Sequence, residues 1–264
     1  MSSSAGPAAS GSGPCAGTGS GAGGSGPAPR RLLVVGAHSA DFVWRSAGTV
    51  AAHTAAGGEA LVVALSYGER GESGVLWKQE GQTEENVKRI RHEEAAKAAS
   101  AVGAAFRAFD LGDYPLRVSQ ESVDRLAELM RDFAPHVVLT HPEKDPFNPD
   151  HPVAHEAVAR ARLLTSGAGV ASGFRTAPPS EFLAFEPHQP ELCGFTPTVY
   201  VDITPVFDRK VEAMSCMAAQ QYLQEYYAQR ADQRGNHARK VTGDENIRQA
   251  EAFHRLLPNV VGAL

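Results

Sequence analysis

The chain has 264 residues, 42% of them hydrophobic, and 25 basic against 30 acidic side chains give a net charge of −5. That composition supports a proper core and excludes a fibrous chain or one disordered throughout, and no run of Lys and Arg builds the positive stripe of a nucleic-acid surface. No stretch approaches the roughly 20 apolar residues of a bilayer span, the uncharged N-terminus does not read as a signal peptide, and Cys15, Cys193 and Cys216 are isolated, so a reduced, cytoplasmic protein is expected.

Residues 1–29 hold nine Gly, seven Ser, six Ala and four Pro and no charge, so they bury nothing and are expected to form a flexible extension to a single α/β domain over residues 30–264. Order should begin with the apolar run Leu32 to Val35, a strand buried on both faces that ends in Gly36-Ala37-His38. A helix is expected from about Trp44 to Ala56, stopped by Gly57-Gly58, and then a second buried strand from Ala60 to Ser66. Tyr67 to Gln82 reads as a long loop. Thr83 can cap a helix that runs to about Val102, followed by a strand from Ala105 to Phe109, an amphipathic helix from Ser119 to Phe133 and a strand from His136 to Thr140. Strands and helices alternating at this spacing argue for a parallel sheet covered on both faces.

The remainder is less regular. It reads as a helix from His151 to Leu164, a Gly/Ser/Pro-rich link from Thr165 to Ser180, and strands near Glu181 to Glu186 and Thr198 to Ile203. Two helices are expected to close the chain, one from about Pro205 past Tyr226 and one from about Asp244 to Leu257.

In an open parallel sheet the ligand site lies beyond the carboxyl ends of the strands, and those loops are rich in metal-ligating side chains. His38 and Asp41 follow the first strand; Glu69, Arg70 and Glu72 the second; Asp110 and Asp113 the third; His141, Glu143, Asp145, Asn148, Asp150 and His151 the fourth; and His188 lies near the fifth. Two imidazoles and a carboxylate with one open position make a catalytic zinc site, and His38, Asp41 and His151 could supply them.

The string VVGAHSADFVWRSAGTV, the Arg91-x-x-Glu94 helix, FNPDHPVAH and the late VYVDITPVFDRKVEA resemble the LmbE and PIG-L family of zinc-dependent enzymes, from about Leu32 to Phe253. The resemblance implies a Rossmann-like fold and places the family's zinc ligands on His38, Asp41 and His151. Typical members are N-deacetylases of amino sugars whose motif A-H-P-D-D carries the general base at its first Asp. Here that position is Ala40, and the His that often precedes P-D-H is Asn148. Amide hydrolysis by the usual route is therefore not expected.

AHSADFVWR and SYGERGESG are similar to one subgroup, the 4-oxalomesaconate hydratases of gallate and protocatechuate breakdown. That resemblance implies a metal-dependent hydro-lyase that adds water to a conjugated polycarboxylate. A zinc-dependent N-deacetylase with another base and a non-catalytic metal-binding homologue are the alternatives. Glu69 or Glu72 could replace the lost base, with Glu72 favoured because it belongs to the longer string, and His188 could act as the acid. Arg45 and Arg70 are the expected partners of the substrate's carboxylates, while Arg91 reads as structural, paired with Glu94. His155, on the helix face of His151, suits either support of the site or packing. The protein is expected to be a homo-oligomer.

Overall fold

The computed structural model describes residues 30–170 and 175–260, so the expected extension over 1–29, with Cys15, lies outside the described residues. Strands β1 (Arg31–Gly36), β2 (Glu59–Ala64), β3 (Ala105–Ala108), β4 (Val137–Thr140), β5 (Glu181–Phe185), β6 (Val199–Asp202) and β7 (Ala250–Arg255) form one sheet in the order β3-β2-β1-β4-β5-β7-β6. The first five are parallel, and β7 runs antiparallel to both β5 and β6. Helices α1 (Asp41–Ala55), α3 (Glu84–Ala101), α6 (Phe207–Ser215) and α7 (Gln224–Thr242) cover one face; α4 (Gln120–Phe133) and α5 (Asp150–Leu164) cover the other; a single turn, α2 (Gly74–Trp77), sits in the long loop after β2.

Burial on both faces follows from the strand period of two. Leu32 and Val34 of β1 pack with Phe42, Ala47 and Val50 of α1, while Leu33 and Val35 pack with Leu126 of α4 and Val158 of α5. The cap expected at Thr83 forms, its side chain accepting the backbone N–H of Asn86, and Ser119 caps α4 in the same way through Ser122 N–H.

Two expectations at the C-terminal end are corrected. Residues 244–257 do not form a helix; Ala250, Glu251, Ala252 and Phe253 are buried in succession, because β7 is inserted between β5 and β6 and is enclosed on both faces. The Glu251 carboxylate there accepts the backbone N–H groups of Gly48 and Thr49 at 3.0 and 2.7 Å and pairs with Lys210. The helix expected from Pro205 past Tyr226 is broken into a 3-10 turn (Thr204–Val206), α6, a second 3-10 segment (Ala218–Leu223) and α7. The break has a tertiary cause. Ala219 N–H donates to Glu94 at 3.0 Å and the Gln220 amide oxygen accepts from Arg91 at 2.8 Å, bonds that hold the segment out of helical register. Arg91 also pairs with Glu94 at 2.7 Å, as expected.

The chain turns outward in opposite directions from β1 and β4, which are neighbours, and the crevice above their carboxyl ends is the topological switch point. The loops 36–41 and 141–151 meet there.

Candidate metal centre and catalytic pocket

Gly36 ends β1 where a Cβ would stand 2.9 Å from Asp41 Cβ, so the loop can fold back tightly over its own strand. Asp41 then opens α1, three residues before the helix start expected from the sequence, and lies in the first turn, where the helix dipole favours an anion. Its Oδ2 accepts the His38 backbone N–H at 2.7 Å, and its Oδ1 lies 2.5 Å from Arg45 Nη1 and 3.6 Å from His151 Nε2. Asp150 and His151 open α5.

Each histidine is fixed through one nitrogen by a carboxylate. His38 Nε2 is 3.2 Å from Asp150 Oδ2, and His151 Nδ1 is 2.7 Å from Asp145 Oδ2. Asp150 is itself held by the backbone N–H groups of Tyr114 and Leu116 at 2.9 and 2.8 Å. The other nitrogens, His38 Nδ1 and His151 Nε2, are buried without a hydrogen-bond partner. Ligand atoms of His38, Asp41, Glu72 and His151 all lie within 4.8 Å of one another. Orphaned imidazole lone pairs converging on a carboxylate, each ring oriented from behind by an acid, are the donor set and outer shell of a metal site. The residues fit a divalent metal.

Electrostatics agree with that reading. Burial disfavours a charged His38, yet Glu72, Asp150 and Asp41 push its pKa well above the usual value. Burial likewise works against ionised Asp41, but His141, Arg45 and His151 hold it well below the usual carboxylate range. Glu72, with its side chain 15% exposed, is brought down to about 2 against the cost of burial, chiefly by His38, whose Nδ1 is 3.2 Å from Glu72 Oε1. The cluster therefore favours positive charge at the point where the two imidazole nitrogens and the carboxylates converge.

The loop after β2 delivers Glu72 because Gly68 adopts a φ of +72°, open to glycine at little cost, in a space where a Cβ would crowd His38 and Glu72 at 3.2 and 3.3 Å. Ala40 is fully buried. Glu72 is thus the carboxylate beside the cluster that is neither Asp41 nor tied behind a histidine.

Two expected site residues are not brought to the cluster. Glu69 is fully buried but turned toward Lys88 at 3.7 Å, and its Oε2 accepts the Tyr67 backbone N–H at 3.2 Å, so it organises the loop. Arg70 points outward to Glu84 at 3.1 Å, while its backbone N–H donates to Asp113 at 2.9 Å. Arg45 is beside the cluster, but its Nη1 is committed to Asp41; its Nε is buried without a partner. His188 stands on the flank between Tyr226 and Tyr227, near enough to Arg45 and Asp145 to feel their charge. His155 Nδ1 meets the His141 carbonyl oxygen at 2.7 Å and supports that loop from behind.

Sequence reasoning left three contributors unassigned. His141 stacks on His151 at 3.9 Å with Nε2 2.9 Å from Asp41 Oδ2, and its surroundings, burial first, bring its pKa down to about 3, so the ring is neutral. Gln220 Nε2 is 3.4 Å from Glu72 Oε2, and Tyr227 is buried against Trp44. His141 could have been found from its place after β4; Gln220 and Tyr227 come from segments far along the chain with no motif around them.

Residues 33–162 match the family described as PIG-L, GlcNAc-PI de-N-acetylase. The 4-oxalmesaconate hydratase of Pseudomonas putida KT2440 is 45% identical over 231 residues, covering 86% of this chain and 90% of that protein. A deacetylase of 1D-myo-inositol 2-acetamido-2-deoxy-α-D-glucopyranoside from Saccharopolyspora erythraea is 26% identical, over 73% and 78% of the two chains. Among solved structures, GalB, the 4-carboxy-2-hydroxymuconate hydratase of Pseudomonas putida KT2440, superposes with a TM-score of 0.87 at 44% identity, over 89% of this chain and 99% of that one. The N,N'-diacetylchitobiose deacetylase of Pyrococcus horikoshii, at 19% identity and a TM-score of 0.70, shares the fold. Shared sequence over nine-tenths of a relative, joined to a common sheet and a histidine–carboxylate cluster at its switch point, makes this chain a member of the PIG-L/LmbE family.

Proposed function

We propose that the chain is a metal-dependent hydro-lyase that adds water to 4-oxalomesaconate, giving 4-carboxy-4-hydroxy-2-oxoadipate. The observation that carries this reading over deacetylation is the exchange of carboxylates at the cluster: Ala40 stands where the deacetylase base belongs, and Glu72 approaches from the neighbouring loop to 3.2 Å from His38. The similarity to two hydratase descriptions at 44–45% identity supports it further.

His38, Asp41 and His151 would hold the metal, and zinc suits two imidazoles and a carboxylate with an open position. When bound, it supplies a Lewis acid able to polarise the 2-keto acid end of the substrate. Glu72 is the general base. It is ionised at neutral pH, and its place beside His38, not its basicity, is what supports the assignment. His188, held by Tyr226 and Tyr227 within reach of the charges of Arg45 and Asp145, serves the end of the substrate where charge develops. Arg45 holds Asp41 in place and adds positive charge to a pocket that receives a polyanion. Arg70 and Glu69 have no part in this assignment.

The test is turnover of the conjugated substrate, followed by loss of its absorbance, with and without chelator. Glu72→Gln should lower kcat by on the order of 10² or more with metal content near normal, whereas Glu69→Gln should not. Loss of metal together with activity in Glu72→Gln would make Glu72 a fourth ligand instead of the base. Efficient deacetylation of N-acetylglucosamine derivatives with no action on oxalomesaconate would overturn the reading.

Cytoplasmic placement and a homo-oligomer belong to the same reading. The first is supported by Cys193 and Cys216 being free thiols, and the second by exposed apolar side chains such as Phe147, Leu192 and Tyr222 that self-association would cover. Among the described residues, no helix is long and apolar enough to cross a membrane.

A further inference from the structure

We propose that Tyr227 is a positioning residue that fixes His188 as a neutral imidazole with its proton on Nε2, so that His188 meets the substrate as a hydrogen-bond donor and not as an imidazolium acid. The proposal rests on the reading of His188 as a site residue.

Two consecutive tyrosines of α7 hold the ring. The Tyr226 hydroxyl donates to the His188 carbonyl oxygen, and the Tyr227 oxygen lies 3.4 Å from His188 Nδ1, with ring centroids 4.3 and 5.8 Å from the imidazole. Tyr227 is 6% exposed and stacks on Trp44 at 5.6 Å, and burial pushes its ionisation far up, so it remains a phenol. Of its charged neighbours, Arg45 can only donate, and Asp41 and Glu72 act on it without a hydrogen bond to the hydroxyl. Among the described residues His188 Nδ1 is the one hydrogen-bond partner of that hydroxyl. A buried O–H with no other acceptor is satisfied by donating to Nδ1, which in a neutral ring places the proton on Nε2.

The groups around the ring keep it neutral. Burial comes first, then Arg45 from α1 and Arg230 from α7, opposed by Asp145 from the loop after β4, with the net effect of lowering its pKa. Glu186, on the ring's own loop, is occupied by Arg230 at 2.9 Å and by Arg234. A neutral Nε2–H aimed at an oxygen that gains negative charge stabilises it as an oxyanion hole does, with no proton leaving the ring; the proton that Glu72 takes from water is the one returned to the neighbouring carbon, so the addition balances.

The opposite arrangement has the phenol donating to a water in the adjoining cavity of about 20 Å³, which Tyr227 lines, and accepting from Nδ1–H. Nitrogen-15 NMR of zinc-loaded, histidine-labelled protein without substrate separates the two, with the His188 signals assigned by their loss in His188→Gln. The expected result is an unprotonated Nδ1 and protonated Nε2 in the wild type, and a mixture of tautomers in Tyr227→Phe, whose ring still stacks on Trp44. An Nδ1–H ring in the wild type, or an unchanged tautomer in Tyr227→Phe, would overturn the proposal. In turnover, Tyr227→Phe should lower kcat roughly tenfold with KM within about twofold, and the wild-type rate should stay level from about pH 7 to 8.5, where an obligatory imidazolium would cost close to tenfold per unit. A falling profile also counts against the proposal. Should the protein fail to hydrate oxalomesaconate at all, the functional reading fails while the tautomer result stands by itself.

Discussion

A single carboxylate, Asp41, closes the loop through His38 N–H, anchors Arg45 and faces His151, and a group with so many partners has little freedom to tolerate change. The neighbouring His151 offers a cleaner test. His151→Ala should remove most bound metal and activity together, read by elemental analysis; full metal content would show the ligand assignment to be wrong. Asp145→Asn, which leaves the ring but weakens the bond behind it, should lower metal affinity about 10- to 100-fold, measured by competition with a chelator. Ala40→Asp would place a carboxylate at a fully buried position that packs in the apolar core beside the cluster, and on the proposed reading it would repel the polyanionic substrate. At an effective dielectric near 20, a like charge about 5 Å away costs roughly 3 kcal/mol, so kcat/KM for hydration should fall on the order of 10²-fold. An unchanged kcat/KM would mean that position 40 does not face the substrate.

At the scale of elements, α7 approaches β7 through Gly235, where a Cβ would stand 1.8 Å from the Arg248 carbonyl oxygen. The obstacle is backbone, which cannot rotate aside as a side chain can. Gly235→Ala should therefore cost about 3 kcal/mol or more, a fall in Tm of roughly 10 °C by calorimetry, whereas removing the cap in Thr83→Ala should cost about 1 kcal/mol. The same region marks where the sequence stopped being legible. The first four strands and the cap at Thr83 could be read because each is a local pattern: a short run of strand length, or a hydroxyl just before a helical stretch. β7 could not, since Ala-Glu-Ala-Phe has the local preference of a helix and becomes a strand through pairing with β5 and β6, more than 40 residues away in sequence. The site divides the same way. Position after strands gathers His38, Asp41, His151 and Glu72 with Glu69 and Arg70, and the family resemblance singles out the first four; which way Glu69 and Arg70 turn depends on Lys88 and Glu84, which no local pattern couples to them.

For the molecule as a whole, the buried histidines set how stability responds to pH. His38 has a raised pKa, so its contribution is complete below the unfolded value of 6.5 and is lost as pH rises through the folded one. His141 and His151 have lowered values and stay neutral in the fold, so the unfolded chain gains protons that the fold does not as pH falls below 6.5. The lowered values of Asp41 and Glu72 add to the loss on the acid side. Metal-stripped protein should therefore show a maximum in Tm near pH 6.5. On the proposed ligand set, metal would take the place of the His38 proton, so in the loaded protein the decline on the alkaline side should disappear. A stripped protein whose Tm keeps rising above that pH would show that His38 does not hold the extra proton.

The insertion of β7 between β5 and β6 also has a consequence for how the protein is made. A chain emerging from the ribosome from its N-terminus can assemble β1 to β4 and bring His38, Asp41 and His151 together, yet the segment that pairs with both remaining strands emerges after all of them. Until Ala250–Arg255 is released, β5 has an open edge, and the turn that carries His188 leaves directly from it. The histidine–carboxylate cluster can thus gather in a nascent chain before the flank that carries His188 has its wall.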